Sequence, residues 1–186
     1  WVLLRLLREL GCALPVEVWV DASAGQALGK FGRRVRRLGG RIRGIGLGIG
    51  LGMGKGDGTG MEFGREAEWI RRSGFREVLW LGAGCYPDVD PSGLFEWGRY
   101  RETGGVLWPG PAGGPGTSKE LWGVFGLEPD GGTESGEGLM LLDRSRVERA
   151  LDLMGWCGER ARLFRALKIE GGDFRRLAFR KAEVAH

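Results

Sequence analysis

Between residues 44 and 60 every even position is glycine. The odd positions 45, 47, 49, 51 and 53 carry Ile, Leu, Ile, Leu and Met. A strand would align those five side chains on one face, but its other face would hold no side chain to pack. Alternating glycine also raises the entropy that ordering must overcome. A Gly-rich excursion over residues 40–60, outside the main packing, is therefore expected. Glycine also occurs elsewhere, 37 in all, without the G-X-Y period that a collagen helix requires. The tract fails the phosphate-loop test: Gly54-Lys55 would need glycine at 49 and Ser or Thr at 56, where Ile and Gly stand.

The remaining sequence reads as α/β. Val2, Leu3, Leu6, Leu7 and Leu10 share a helical face, closed by Gly11. VEVWV at 16–20 alternates and is β-branched, a strand ending at Asp21. Residues 62–73 have helical spacing. Residues 76–81, 106–108 and 139–142 read as strands of one sheet. A Pro/Gly loop follows at 109–117, and helices are expected at about 144–156, 158–168 and 173–184. With 186 residues and 42% apolar content, the chain reads as a single soluble domain over 1–186. Its start at Trp1 suggests a fragment of a longer chain.

The inventory narrows the chemistry. The single histidine is His186, which excludes His-dependent triads and His-based metal sites, and GxSxG is absent. Cys12, Cys85 and Cys157 contain no CxxC and form no zinc or disulfide framework. No run of 18 apolar residues marks a membrane span. The chain has 23 Arg, 5 Lys and no Asn, a bias that makes its net charge of +4 a weak argument for an anionic partner. Arg33, Arg34, Arg36, Arg37, Arg41 and Arg43, followed by the glycine tract, resemble an Arg/Gly-rich RNA-binding segment. No aromatic residue interleaves them, however, so a solvated basic face or loop is expected and no nucleic-acid partner. Carboxylates remain: Asp21, Asp88, Asp90, Glu134, Glu137 and Asp143 all stand near strand ends. Taken singly, each is ordinary for a loop or cap.

Several blocks occur in an ordered series: LGC-LPVEVW, S-FREVLWL, P-x-x-DP-x-x-LF, Y-x-x-TG-V-L-WP and ESG-x-x-x-LLD. Together they resemble the α-mannosyltransferase family typified by Golgi mannan-elongating enzymes of yeasts, from Leu4 to about Asp152. The resemblance implies a GT-A-like, nucleotide-sugar-binding mixed sheet flanked by helices. It also implies GDP-mannose as donor, a glycan acceptor, a divalent metal such as manganese, and a lumenal domain on a Golgi membrane whose anchor lies outside this chain. Glu134 is then the candidate catalytic carboxylate. Asp88, Asp90, Ser135, Gly136 and Asp143 are candidates for the nucleotide-sugar site. The family's metal-holding DxD falls at Gly82 and Gly84, and its preceding lysine near Glu66. Glycine has no side-chain oxygen for a hard cation, so metal binding is doubtful. A non-catalytic homologue that binds a glycan or a partner is the alternative implied. Trp80, Trp108 and Trp122 are candidates for ring stacking, Trp80 being the one expected in the core.

Overall fold

A computed structural model describes residues 1–21, 28–45, 65–82, 84–110, 117, 119–129, 131–132, 135–160, 163–164 and 174–184. Over these described residues the fold is mixed α/β with two sheets. The chain divides into two compact units: Trp1–Lys55 with Gly84–Phe95, and Gly56–Ala83 with Glu96–His186.

In the first unit, helix α1 (Val2–Glu9) precedes β1 (Val16–Asp21), α2 (Leu28–Arg37) and β2 (Gly40–Ile45). Leu4 and Leu7 are the buried stripe of α1. Gly11 at φ +84° supplies the left-handed turn that ends it, with the Cys12 amide donating to the Leu7 carbonyl at 2.9 Å. β1 and β2 pair in parallel from Val16↔Gly40 to Asp21↔Ile45, with α2 as the crossover. Gly40 is needed where these elements meet: a Cβ there would lie 2.7 Å from Leu4 and 2.8 Å from Val35. The Gly-rich excursion expected from residue 40 is corrected here. Gly40–Ile45 is a strand, because Gly40 fits the crowded contact and Ile42 packs toward α2. Residues 46–60 lie outside the described residues.

The second unit contains α3 (Arg65–Arg72), β3 (Glu77–Leu81), α4 (Gly98–Thr103), β4 (Gly105–Pro109), α5 (Lys119–Phe125), β5 (Ser135–Asp143), α6 (Glu148–Glu159) and α7 (Phe174–Lys181). Its sheet has the order β3-β5-β4, antiparallel throughout. Among the described residues, parallel and antiparallel pairs thus lie in separate sheets and not in one mixed sheet. The three strands expected to share a sheet do so. β5 is central, and Met140, Leu141 and Leu142 are at most 1% exposed, as a strand covered on both faces requires. Met140 and Leu142 join Val78, Trp80 and Leu107 in a core with Ala67, Ile70, Leu151, Met154 and Phe179 from α3, α6 and α7. Burying each large side chain contributes about 1.5–3 kcal/mol. A second cluster packs Leu121, Trp122 and Phe125 against Cys157, Phe164 and Phe174. Among the described residues, no helix is long and apolar enough to cross a membrane.

Candidate functional site

The antiparallel register brings the carboxyl ends of β3 and β4 to the amino end of β5. Leu81 pairs with Leu139, and the next amide, Gly82 N–H, donates to the Gly138 carbonyl at 2.7 Å. On the other side Pro109 pairs with Ser135. Pro109 is tolerated because β4 is an edge strand, and the register shifts between Leu107 and Pro109. Beyond it the backbones of Gly110 and Gly136 nearly touch: a Cβ on Gly136 would lie 3.2 Å from the Pro109 carbonyl and 3.3 Å from the Gly110 Cα. Gly82, Ser135 and Gly136 therefore gather at one strand end, although Gly82 and Ser135 are 53 residues apart in sequence.

The other candidates lie elsewhere. Asp143 is at the opposite end of β5, where Arg76 grips it with Nη2 at 2.9 Å and Nε at 3.3 Å. The Ser145 amide and hydroxyl donate to the same carboxylate at 3.0 and 2.6 Å. Burial pushes the Asp143 pKa up, but the bonds from Arg76 and Ser145 outweigh it and hold the carboxyl below its usual range. Asp143 thus ties β5 to the start of β3 and organises the turn before α6, the capping role that competes with a ligand role.

Gly84, Asp88 and Asp90 belong to the first unit. Asp88 is exposed in a bend. Asp90 accepts from the Ser92 amide at 3.0 Å and the Ser92 hydroxyl at 2.7 Å, which starts the 3-10 turn Pro91–Glu96. These two bonds, the backbone one first, lower its pKa. Glu134 lies outside the described residues.

The described candidate residues do not suit the metal that the resemblance implies. Gly82 and Gly84 offer no side-chain oxygen, and both Asp90 oxygens are engaged by Ser92. Gly84 has φ +93°, a conformation that an aspartate there would adopt only with strain. Among the described residues, no three His, Cys, Asp or Glu side chains gather where a metal could sit.

The tryptophans divide in the same way. Trp80 packs in the core beside Trp69, with centroids 5.6 Å apart. Trp122 is 5% exposed beneath Arg176 and Arg180. Trp108 remains half-buried and meets the exposed Trp97 at 5.9 Å. Two features were missed from sequence. Glu66, 6% exposed, pairs with Arg175 at 3.0 Å, and nothing local marks its partner. Helix α2 was signalled by Phe31, Val35 and Leu38 at helical spacing.

Comparison with models of protein families, with curated proteins and with solved structures finds no match.

Proposed function

We propose that the chain is a glycosyltransferase-family domain of the α-mannosyltransferase type, acting in glycosylation on a nucleotide-sugar donor and a glycan acceptor. In this reading it holds the donor without a metal-bridged diphosphate. The observation that supports it is the bond from Gly82 to Gly138, which joins the block ending in LWL-GAG to the block containing ESG. A donor site draws on loops gathered at one end of a sheet, and these two blocks are adjacent at the end where β3 finishes and β5 begins. GDP-mannose is the donor that the resemblance implies. Mannose transfer by this chain would have to proceed without the electrostatic help that a divalent cation gives the leaving diphosphate. Strong transfer activity is therefore not expected.

Calorimetry of GDP-mannose with and without manganese tests this. The unmodified chain is expected to bind the donor with the same affinity in both conditions. The double variant Gly82→Asp, Gly84→Asp is expected to gain manganese dependence, at a strain cost of about 1–2 kcal/mol at position 84. Manganese-dependent binding by the unmodified chain would overturn the lost metal site. Absence of donor binding in both proteins, each shown to be folded by circular dichroism, would overturn the functional reading.

A further inference from the structure

Residues 28–45 contain seven Lys or Arg and no Asp or Glu. Five of these cations lie on α2: Lys30, Arg33, Arg34, Arg36 and Arg37, all exposed. At about 100° per residue they sweep one continuous arc, opposite Phe31 and Val35. Val35 is completely buried, so the apolar side of α2 is used inside its own unit and the basic arc points away from it. Among the described residues, Lys30, Arg33, Arg36 and Arg37 have no carboxylate within ion-pair distance. Like charges at three- and four-residue spacing repel. An anionic surface would relieve that repulsion.

A second observation selects the kind of surface. Arg34 lies over the Trp1 ring, 5.3 Å from its centroid. Trp1 is 44% exposed and Val2 53% exposed, so apolar groups flank the arc at this point. Indole rings favour the bilayer interface, and small apolar side chains enter it, beside cations that meet anionic headgroups. Val2 offers nothing to a base or a phosphate. The arc itself has no aromatic side chain for base stacking and is convex, unlike the grooves that track single-stranded nucleic acid. We infer that the outer face of α2, with Trp1 and Val2 at its flank, is a docking surface for an anionic lipid bilayer.

The experiment is co-sedimentation of the whole chain with phosphatidylcholine vesicles, with or without about 30 mol% phosphatidylserine. Binding is expected only to the anionic vesicles and should weaken as salt rises from about 50 to about 200 mM. The triple variant Arg33→Gln, Arg36→Gln, Arg37→Gln should lose roughly a hundredfold in affinity, at about a fivefold loss for each surface cation. The variant Trp1→Ala, Val2→Ser should lose the part of binding that resists salt. Equal binding to neutral and anionic vesicles, or an unchanged triple variant, would overturn the proposal. Tighter binding to an unstructured RNA oligonucleotide than to the anionic vesicles would overturn it in favour of nucleic acid. The salt titration of the unmodified chain decides the electrostatic component even if a variant fails to fold.

Discussion

Arg144 closes the end of α3: its guanidinium donates to the Ser73, Phe75 and Arg71 carbonyls at 2.6, 2.8 and 2.6 Å. Arg146 does the same for α4, through the Arg101 carbonyl at 2.8 Å and the Glu102 carbonyl. Arg8 reaches the Cys12, Leu14 and Leu38 carbonyls, which ties α1 to the approaches of β1 and β2. Helix C-termini leave carbonyls without intrahelical donors, and a forked cation can satisfy several of them together. These three arginines are thus structural, which composition could not show. Arg144→Lys keeps the charge but loses the fork, so a loss of about 2 kcal/mol is expected in urea unfolding followed by tryptophan fluorescence. At Asp143 the folded pKa is held below the usual value of 3.8. Its contribution is therefore present above that value and is lost as pH falls through the lower folded one. Asp143→Asn should flatten the dependence of stability on pH below about 4, measured by unfolding at a series of pH values. An unchanged slope would remove Asp143 from the acid response.

The elements differ in how openly the sequence declares them. β3, β4 and β5 are runs of bulky apolar residues bounded by Gly, Pro or charged residues, and each is a strand. The helix expected from 144 starts at Glu148, because Asp143 and Ser145 first form a turn. Helix α2 carries its apolar spacing on few residues, Phe31 and Val35 among cations and glycines, and it is held by packing on β2, where Gly32 faces Ile42. Gly40 and Gly44 separate packing from propensity, since both lie on β2. A Cβ at Gly40 meets Leu4, Val35 and the Val35 carbonyl within 3.2 Å, whereas among the described residues nothing lies within 4 Å at Gly44. Gly40→Ala is expected to destabilise by about 1–3 kcal/mol. Gly44→Ala should be neutral or slightly stabilising, through the reduced entropy of the unfolded chain. Equal effects in denaturant titrations would show that the Gly40 contact is not tight.

Across the whole molecule, the charge is segregated. The seven cations of residues 28–45 exceed the net charge of +4, so the rest of the chain is net acidic. The cysteines report on both units. Cys12 and Cys157 are buried and Cys85 is half-buried, all with free thiols. Burial pushes the Cys157 thiol up to about 12, and it also raises Cys12. Mass spectrometry after brief alkylation at neutral pH should find Cys85 modified first and all three modified in denaturant. Early labelling of Cys157 would mean that the cluster around Phe164 and Phe174 opens readily. By itself the sequence determined the α/β class, the three strands of the antiparallel sheet and the absence of side-chain carboxylates at positions 82 and 84. These depend on local periodicity or on which side chain is present, and either can be read along the chain. Only the tertiary structure decided that Gly82 meets Gly138, that Asp143 is held by Arg76 at the other end of β5, and that Glu66 is buried against Arg175. Each of those pairs is separated by more than 50 residues. Such contacts follow from how faces pack together, and no single segment carries them in its own pattern.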